Sequence, residues 1–439
     1  MSTVVDKKVD EYKGKFVSLF NEYESRLNGQ SNHPFHQLKR EGLASMEALS
    51  FPGRRDEDWK YTSLNKVLKE QYALNAEYES DFELPETLSK MDAIKVVFLN
   101  GILNEELSDL ESLPNGFTLG KSLELFEKEG EQITKMTKNS LDNAPQSLVG
   151  LNVALTQSPV FFRIAKNVKL DKPVHFIYLT DANHSLMMNP QVFGVVEQGA
   201  EMSIVESFEG SENETPLFIN VLNRFEVGAN AKFSYYRVQN ESLEGNLVSN
   251  VVCHQGADST FNCYLADIGG NLVRNNLDTV LTGSNTTTQY FGVYCPADGQ
   301  HVDNQTFIDH ALPHCFSNEQ YKGVVGKEGR GVFNGKVMVR QDAQKTNAFQ
   351  QNSNLLLDET SVMDSKPQLE IFADDVKCSH GATIGQLDEA SIFYLRSRGL
   401  SEAMAKSLLQ YAFLGEVVDN FELEPVKEYA EKLLQNKLT

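Results

Sequence analysis

Val192-Phe193-Gly194-Val195-Val196-Glu197-Gln198-Gly199-Ala200 decides the fold, because its closing small-residue pair returns. Gly228-Ala229, Gly256-Ala257 and Gly283-Ser284 follow at steps of 29, 28 and 27 residues, each after an apolar run and before an alternating one. Ile204, Phe233, Phe261 and Thr288 each lie five residues past the first member of a pair. A drifting period near 28 in a β-rich stretch predicts a solenoid whose coils bury their apolar side only against their neighbours. The competing architecture is an antiparallel sandwich, whose hairpin turns would recur about every 8–12 residues.

Outward from that stretch the texture stays β-rich over residues 150–380. Val160-Phe161-Phe162-Arg163-Ile164 and His175-Phe176-Ile177-Tyr178-Leu179 are short strand-like runs, and no long helical stripe interrupts them. Both ends read as helix. Val9, Tyr12, Phe16, Leu19 and Tyr23 form one apolar stripe at three- and four-residue steps, with Gly29 as its stop. Arg54-Arg55-Asp56-Glu57-Asp58-Trp59-Lys60-Tyr61-Thr62 holds the only Trp of the chain amid mixed charge. The polar stretch at 142–147, with Pro145, marks a boundary. Near the other end Gly399 stops one helix, Ser401-Glu402 starts the next with Met404, Leu408, Tyr411 and Ala412 on one face, and a third follows Pro425. The expectation is a mainly β chain with helical ends: a mostly helical region 1–147, a solenoid core 148–384, and a helical region 385–439. Helices at the two ends would cap the open strand edges of a solenoid.

Composition narrows the partners. The net charge is −21, so nucleic acid and an anionic membrane surface are excluded as main partners, since both need a basic face. No run of about 18 apolar residues predicts a membrane span, and the first residues show no signal-like apolar core. The five cysteines are odd in number and show no C-x-x-C spacing, as expected of a reducing cytoplasm.

Four motifs bear on chemistry. Gly331-Val332-Phe333-Asn334-Gly335-Lys336-Val337 resembles a phosphate loop, but the glycine spacing is one short and Val337 stands where Ser/Thr would hold magnesium. Gly329, Gly331 and Gly335 therefore read as turn glycines. His310 and His314 are four apart, yet Ala311 replaces the zincin Glu and Pro313 would break the helix, so polar residues satisfied at a turn are expected. Asp303, Asp309, Asp364 and Glu370 are candidate carboxylates for a glycosidase-like enzyme, but no spacing singles out a pair. Cys378 and His380, two apart on a strand, project to one face, and both are ligands for iron or zinc. They make an incomplete site that a partner could complete; a buried structural Cys beside a hydrogen-bonded His is the alternative.

A longer set of motifs carries a family resemblance. His301-Val302-Asp303-Asn304-Gln305-Thr306, Tyr321-Lys322-Gly323-Val324, Lys366-Pro367-Gln368-Leu369-Glu370-Ile371 and Ala373-Asp374-Asp375-Val376-Lys377-Cys378-Ser379-His380-Gly381-Ala382-Thr383 occur in this order. With Phe393-Tyr394-Leu395-Arg396-Ser397-Arg398-Gly399, they resemble the SufB/SufD family of the SUF iron–sulfur cluster assembly machinery. The likeness is densest over 295–415, and residues 54–62 are similar to the family's N-terminal signature. The resemblance implies a right-handed parallel β-helix between helical ends, pairing with SufB through the end of the helix, and docking of the ABC-type ATPase SufC on the C-terminal helices. On that basis Arg396, Arg398, Tyr411 and Phe413 are expected in the ATPase-docking region. His380 is expected to take part in cluster formation as a transient iron or cluster ligand shared with the partner, with Cys378 beside it. The expected role is a non-enzymatic scaffold without a tightly bound cofactor. Some family complexes carry flavin, although the chain shows no flavin motif, and an open solenoid edge allows a homodimer when the chain is alone. SufB carries an essential Cys where Asn352 aligns, and Glu where Gly381 stands, so the SufD branch is favoured over a SufB-like primary scaffold.

Overall fold

The computed structural model describes residues 2–27, 30–74, 85–142, 146–211 and 215–438. Gly29 and Pro145, the expected helix stop and boundary proline, lie outside them. The centre of the chain is a β-solenoid of about eight turns. Its strands alternate between a sheet of ten strands and a sheet of eleven, and neighbours within the solenoid pair in parallel. Residues within the expected helical region join it: Ile94–Leu99 pairs in parallel with Val174–Thr180, and Phe117–Lys121 pairs antiparallel with Val160–Ile164.

The true repeat is shifted by two residues at its first member. Glu201, Lys232, Thr260, Thr287, Phe316, Asn347 and Lys377 stack, giving coils of 31, 28, 27, 29, 31 and 30 residues. Two residues before most of these strand starts the backbone turns left-handed, at Gly199, Asn230, Asp258, Asn285, His314 and Lys345. Gly199 therefore corresponds to Asn230 rather than to Gly228. Met202, not Ile204, shares a column with Phe233, Phe261 and Thr288. What recurs is the left-handed turn, which Asn and Asp also adopt, so matching glycine to glycine misplaces the first coil. Gly228, Gly256 and Gly283 serve a different need: a Cβ there would lie 2.7, 2.9 and 1.9 Å from backbone atoms of the preceding coil.

In-register stacking puts like side chains above one another. Tyr178 stacks on Phe208 with centroids 4.5 Å apart, and Tyr236 on Tyr264 at 4.4 Å. The lumen is apolar at one end and increasingly polar toward the other. Buried Glu206 accepts from Asn223 (2.8 Å) and Tyr235 (2.6 Å). Buried Arg237 pairs with Asp267 at 3.1 Å, and Asn275 donates to Asp267 at 2.7 Å and to Asn304 at 2.8 Å. Arg237 and Asp267 thus compensate each other's charge, without which either would be strongly destabilising, while Glu206 is held by hydrogen bonds from neutral groups.

Helices cover both outer faces. Ser147–Leu155 is buried at every position, the pattern of a helix enclosed on all sides. It crosses the helix Pro34–Ala48 on glycines: a Cβ on Gly150 would meet Gly42 O at 2.7 Å, and one on Gly42 would meet Val153 at 2.7 Å. On the opposite face, Tyr236, Tyr264 and Phe291 pack under Glu402–Val418 and Glu424–Lys437. Residues 57–62 run across the eleven-stranded sheet. Trp59 is buried beneath Arg274, which pairs with Asp303, and Thr62 donates to the same carboxylate.

Candidate functional site

Lys377–Gly385 is the last strand of the ten-stranded sheet, paired on one side only, with Asn347–Leu356. Its register places each side chain. Tyr235, Cys263, Tyr290, Glu319 and Gln350 form an inward-facing column, and His380 is its next member. Phe233, Phe261, Thr288, Ser317 and Ala348 form the neighbouring column, and Cys378 continues it. Both residues thus carry on the lumen-facing rows of the solenoid, at the coil that no further coil covers. This is why His380 is exposed while every earlier member of its column is buried.

The two differ in chemistry. Cys378 is half-buried and joins a small apolar cluster with Val337, Val339, Ala343 and Ala348. Burial raises its thiol above the ordinary value, against a backbone hydrogen bond with Ala348, so it is not an activated thiolate. His380 lines a groove of about 340 Å³ with Asn318, Phe349, Gln350, Gln351 and Thr383. Behind it Gln350 donates to buried Glu319 at 3.0 Å, and Thr306 also donates to that carboxyl, which burial pushes up to about 7. Among the described residues no group of three or more His, Cys, Asp or Glu converges as a metal site. Cys378 and His380 could therefore supply at most two ligands to a metal.

Asn352 and Gly381, the two positions on which the resemblance favours the SufD branch, have plain surroundings. Asn352 is buried; it donates to the Tyr294 hydroxyl at 3.0 Å and accepts from Asn354 (2.7 Å) and Ser365 (2.9 Å). It is a satisfied structural amide. A Cβ on Gly381 would meet nothing within 4 Å, so that position has room for a side chain.

The other motifs resolve as structure. His310 lies in a strand, hydrogen-bonded to Ser317 at 2.8 Å and held down to about 4 by burial, while His314 sits in a left-handed turn. The turn reading of Gly331 and Gly335 is corrected: both lie within the strand Arg330–Val339, where a Cβ would come 2.7 Å from Met363 and 2.3 Å from Gln350. The candidate carboxylates each hold a cation: Asp303 with Arg274, Asp309 with Arg340, Asp364 with Arg330 and Glu370 with Lys336.

In the C-terminal helices Arg396 and Arg398 are exposed; Arg396 pairs with Glu402 at 3.2 Å, and Arg398 lies over the Tyr394 ring. Tyr411 and Phe413 turn inward instead. They pack against the solenoid, and Lys322 lies 4.4 Å above the Phe413 ring. The apolar side chains left bare are Phe393 (73% exposed), Tyr394, Met404 and Leu408. Met404 and Leu408 are legible in the sequence as one helix face, but periodicity alone does not say which face meets solvent.

A family model described as "SUF system FeS cluster assembly, SufBD core domain" matches residues 178–413, and one described as "SufBD protein N-terminal region" matches residues 10–176. An iron–sulfur cluster assembly SufBD family protein of Synechocystis is 34% identical over 88% of this chain and 87% of its own length. The iron–sulfur cluster assembly protein SufD of Escherichia coli is 30% identical over 93% of both chains. That of Bacillus subtilis is 24% identical over 97% of this chain and 99% of its own.

Proposed function

The chain belongs to the SufBD family of SUF-system iron–sulfur cluster assembly proteins, and from that premise we propose that it is a non-catalytic scaffold subunit of the SufD type. The observation that carries this reading is the bare end of the solenoid. A one-sided edge strand presents His380 and Cys378 from the lumen-facing rows, beside exposed Phe349, Phe372 and Ile384. An open edge with unpaired backbone groups and apolar flanks suits docking of a second solenoid by strand pairing. SufB is the partner that fits, and iron or a nascent cluster is the cargo assembled between them. A neutral imidazole is a competent iron ligand, whereas sulfur transfer needs a thiolate, which SufB would supply. The bare face of Phe393, Tyr394, Met404 and Leu408 is the docking surface for the SufC ATPase. A SufB-like primary role is disfavoured by Asn352, whose hydrogen bonds are all taken inside the lumen.

The test is co-expression with SufB- and SufC-type partners, anaerobic purification, and assay of iron, sulfide and the absorption spectrum. The expected result is a three-component complex carrying iron and sulfide, with recovery lowered by His380→Ala. Equal recovery from that variant would overturn the role given to His380.

A further inference from the structure

The N-terminal helices hold a separate cavity of about 90 Å³, remote in sequence from the solenoid end. Its walls include Tyr23, His33, His36, Lys39, Lys121 and Ser158. Its basic groups are not equally compensated. Lys121 pairs with Glu105 and Glu124, and His36 with Glu24 at 2.8 Å. Lys39 is 3% exposed and has no carboxylate partner among the described residues. One of its three protons goes to the Thr156 carbonyl at the end of the helix Ser147–Leu155, and the Tyr23 ring lies 4.5 Å away. A buried ammonium without a counter-charge is costly, and burial alone lowers it to about 7.

Two further donors line the same walls. His33 accepts the Phe35 N–H on Nδ1, which leaves the neutral ring's proton on Nε2. Ser158 accepts the Leu103 N–H and keeps its own O–H to donate. A mostly apolar hollow lined by a few hydrogen-bond donors, one of them a buried cation without a carboxylate, is the construction of a small-ligand site. We propose that this cavity binds a small oxyanion, a phosphate or carboxylate group, with Lys39 as its counter-charge. The volume suits a single such group rather than a nucleotide.

The test uses the full chain. Inorganic phosphate and acetate are titrated separately by calorimetry at constant ionic strength against wild type and Lys39→Gln, which keeps a donor for the Thr156 carbonyl. Saturable one-to-one binding of either anion is expected, weakened at least about tenfold in the variant, the loss of one charge-assisted hydrogen bond. Binding of phosphate alone identifies a phosphate site, and of acetate alone a carboxylate site. No saturable binding of either by wild type overturns the proposal, as does unchanged affinity in the variant. Should Lys39→Gln fail to fold, Lys39→Met, which keeps the volume, is read by the same criterion.

Discussion

The Arg274 guanidinium lies 3.8 Å above the ring centroid of Trp59, joining the N-terminal segment to the solenoid wall. The same guanidinium pairs with buried Asp303, so one cation holds both an aromatic ring and a carboxylate.

Removal of either member of that seam should therefore cost more than a surface contact. Trp59→Ala is expected to lose about 3–5 kcal/mol, as for other buried large aromatics. Arg274→Met should lose a similar amount, because it strands Asp303 without a cation. Urea unfolding followed by circular dichroism measures both. In the wild type, fluorescence of the single Trp reports the seam directly; a loss under about 1 kcal/mol in either variant would show that the segment is only loosely held.

His380 is exposed, and its replacement should leave the fold intact. The stability of His380→Ala is expected within about 0.5 kcal/mol of wild type, while iron and sulfide recovered with the complex fall. Parallel loss of stability and cargo would instead mark His380 as a structural residue.

The C-terminal helices should separate two kinds of variant. Phe393→Asp and Met404→Asp alter bare side chains, so stability holds while capture of the SufC-type ATPase is lost. Phe413→Ala should cost about 1–2 kcal/mol through lost packing and the lost Lys322 contact, because Phe413 faces the solenoid. Retained ATPase capture by the two Asp variants would remove this face from the docking surface.

Glu209 gives a pH signature. It is buried, accepts from Tyr429 (2.8 Å) and Asn240 (3.1 Å), and burial pushes its carboxyl up to about 8. A carboxyl whose folded value is raised binds its proton more tightly in the fold. Its contribution is complete below the unfolded value near 4.5 and is lost as pH rises through about 8. Glu209→Gln should therefore flatten the fall in unfolding free energy between pH 5 and 8.5 by a few kcal/mol, since each tenfold difference in proton affinity between the folded and unfolded chain is worth about 1.4 kcal/mol. Equal pH slopes for wild type and variant would contradict this.

Part of this protein is written locally. A glycine recurs where a Cβ would press on the backbone of the preceding coil, at Gly228, Gly256 and Gly283, so the period near 28 can be read from residues 228–284; the first coil, set by the left-handed turns at Gly199 and Asn230, is misplaced by the same reading. The same-face placement of Cys378 and His380 follows from the period of two along any strand. The family motifs around them single out the candidate site in the sequence. The strands at Ile94–Leu99 and Phe117–Lys121 are not legible in this way, because short strands flanked by helical segments declare themselves only through partners far along the chain.

The sequence by itself thus determined a solenoid with helical ends, and a His and a Cys on one face of a strand. Only the tertiary structure decided that this face continues the lumen rows, that the strand ends its sheet uncovered, and that Phe413 turns inward while Phe393 stays bare. The physical reason is the range of the forces involved. Turn conformation and strand alternation depend on neighbouring residues. Which face is buried, and which edge is left open, depends on the summed packing of coils and helices distant in the chain.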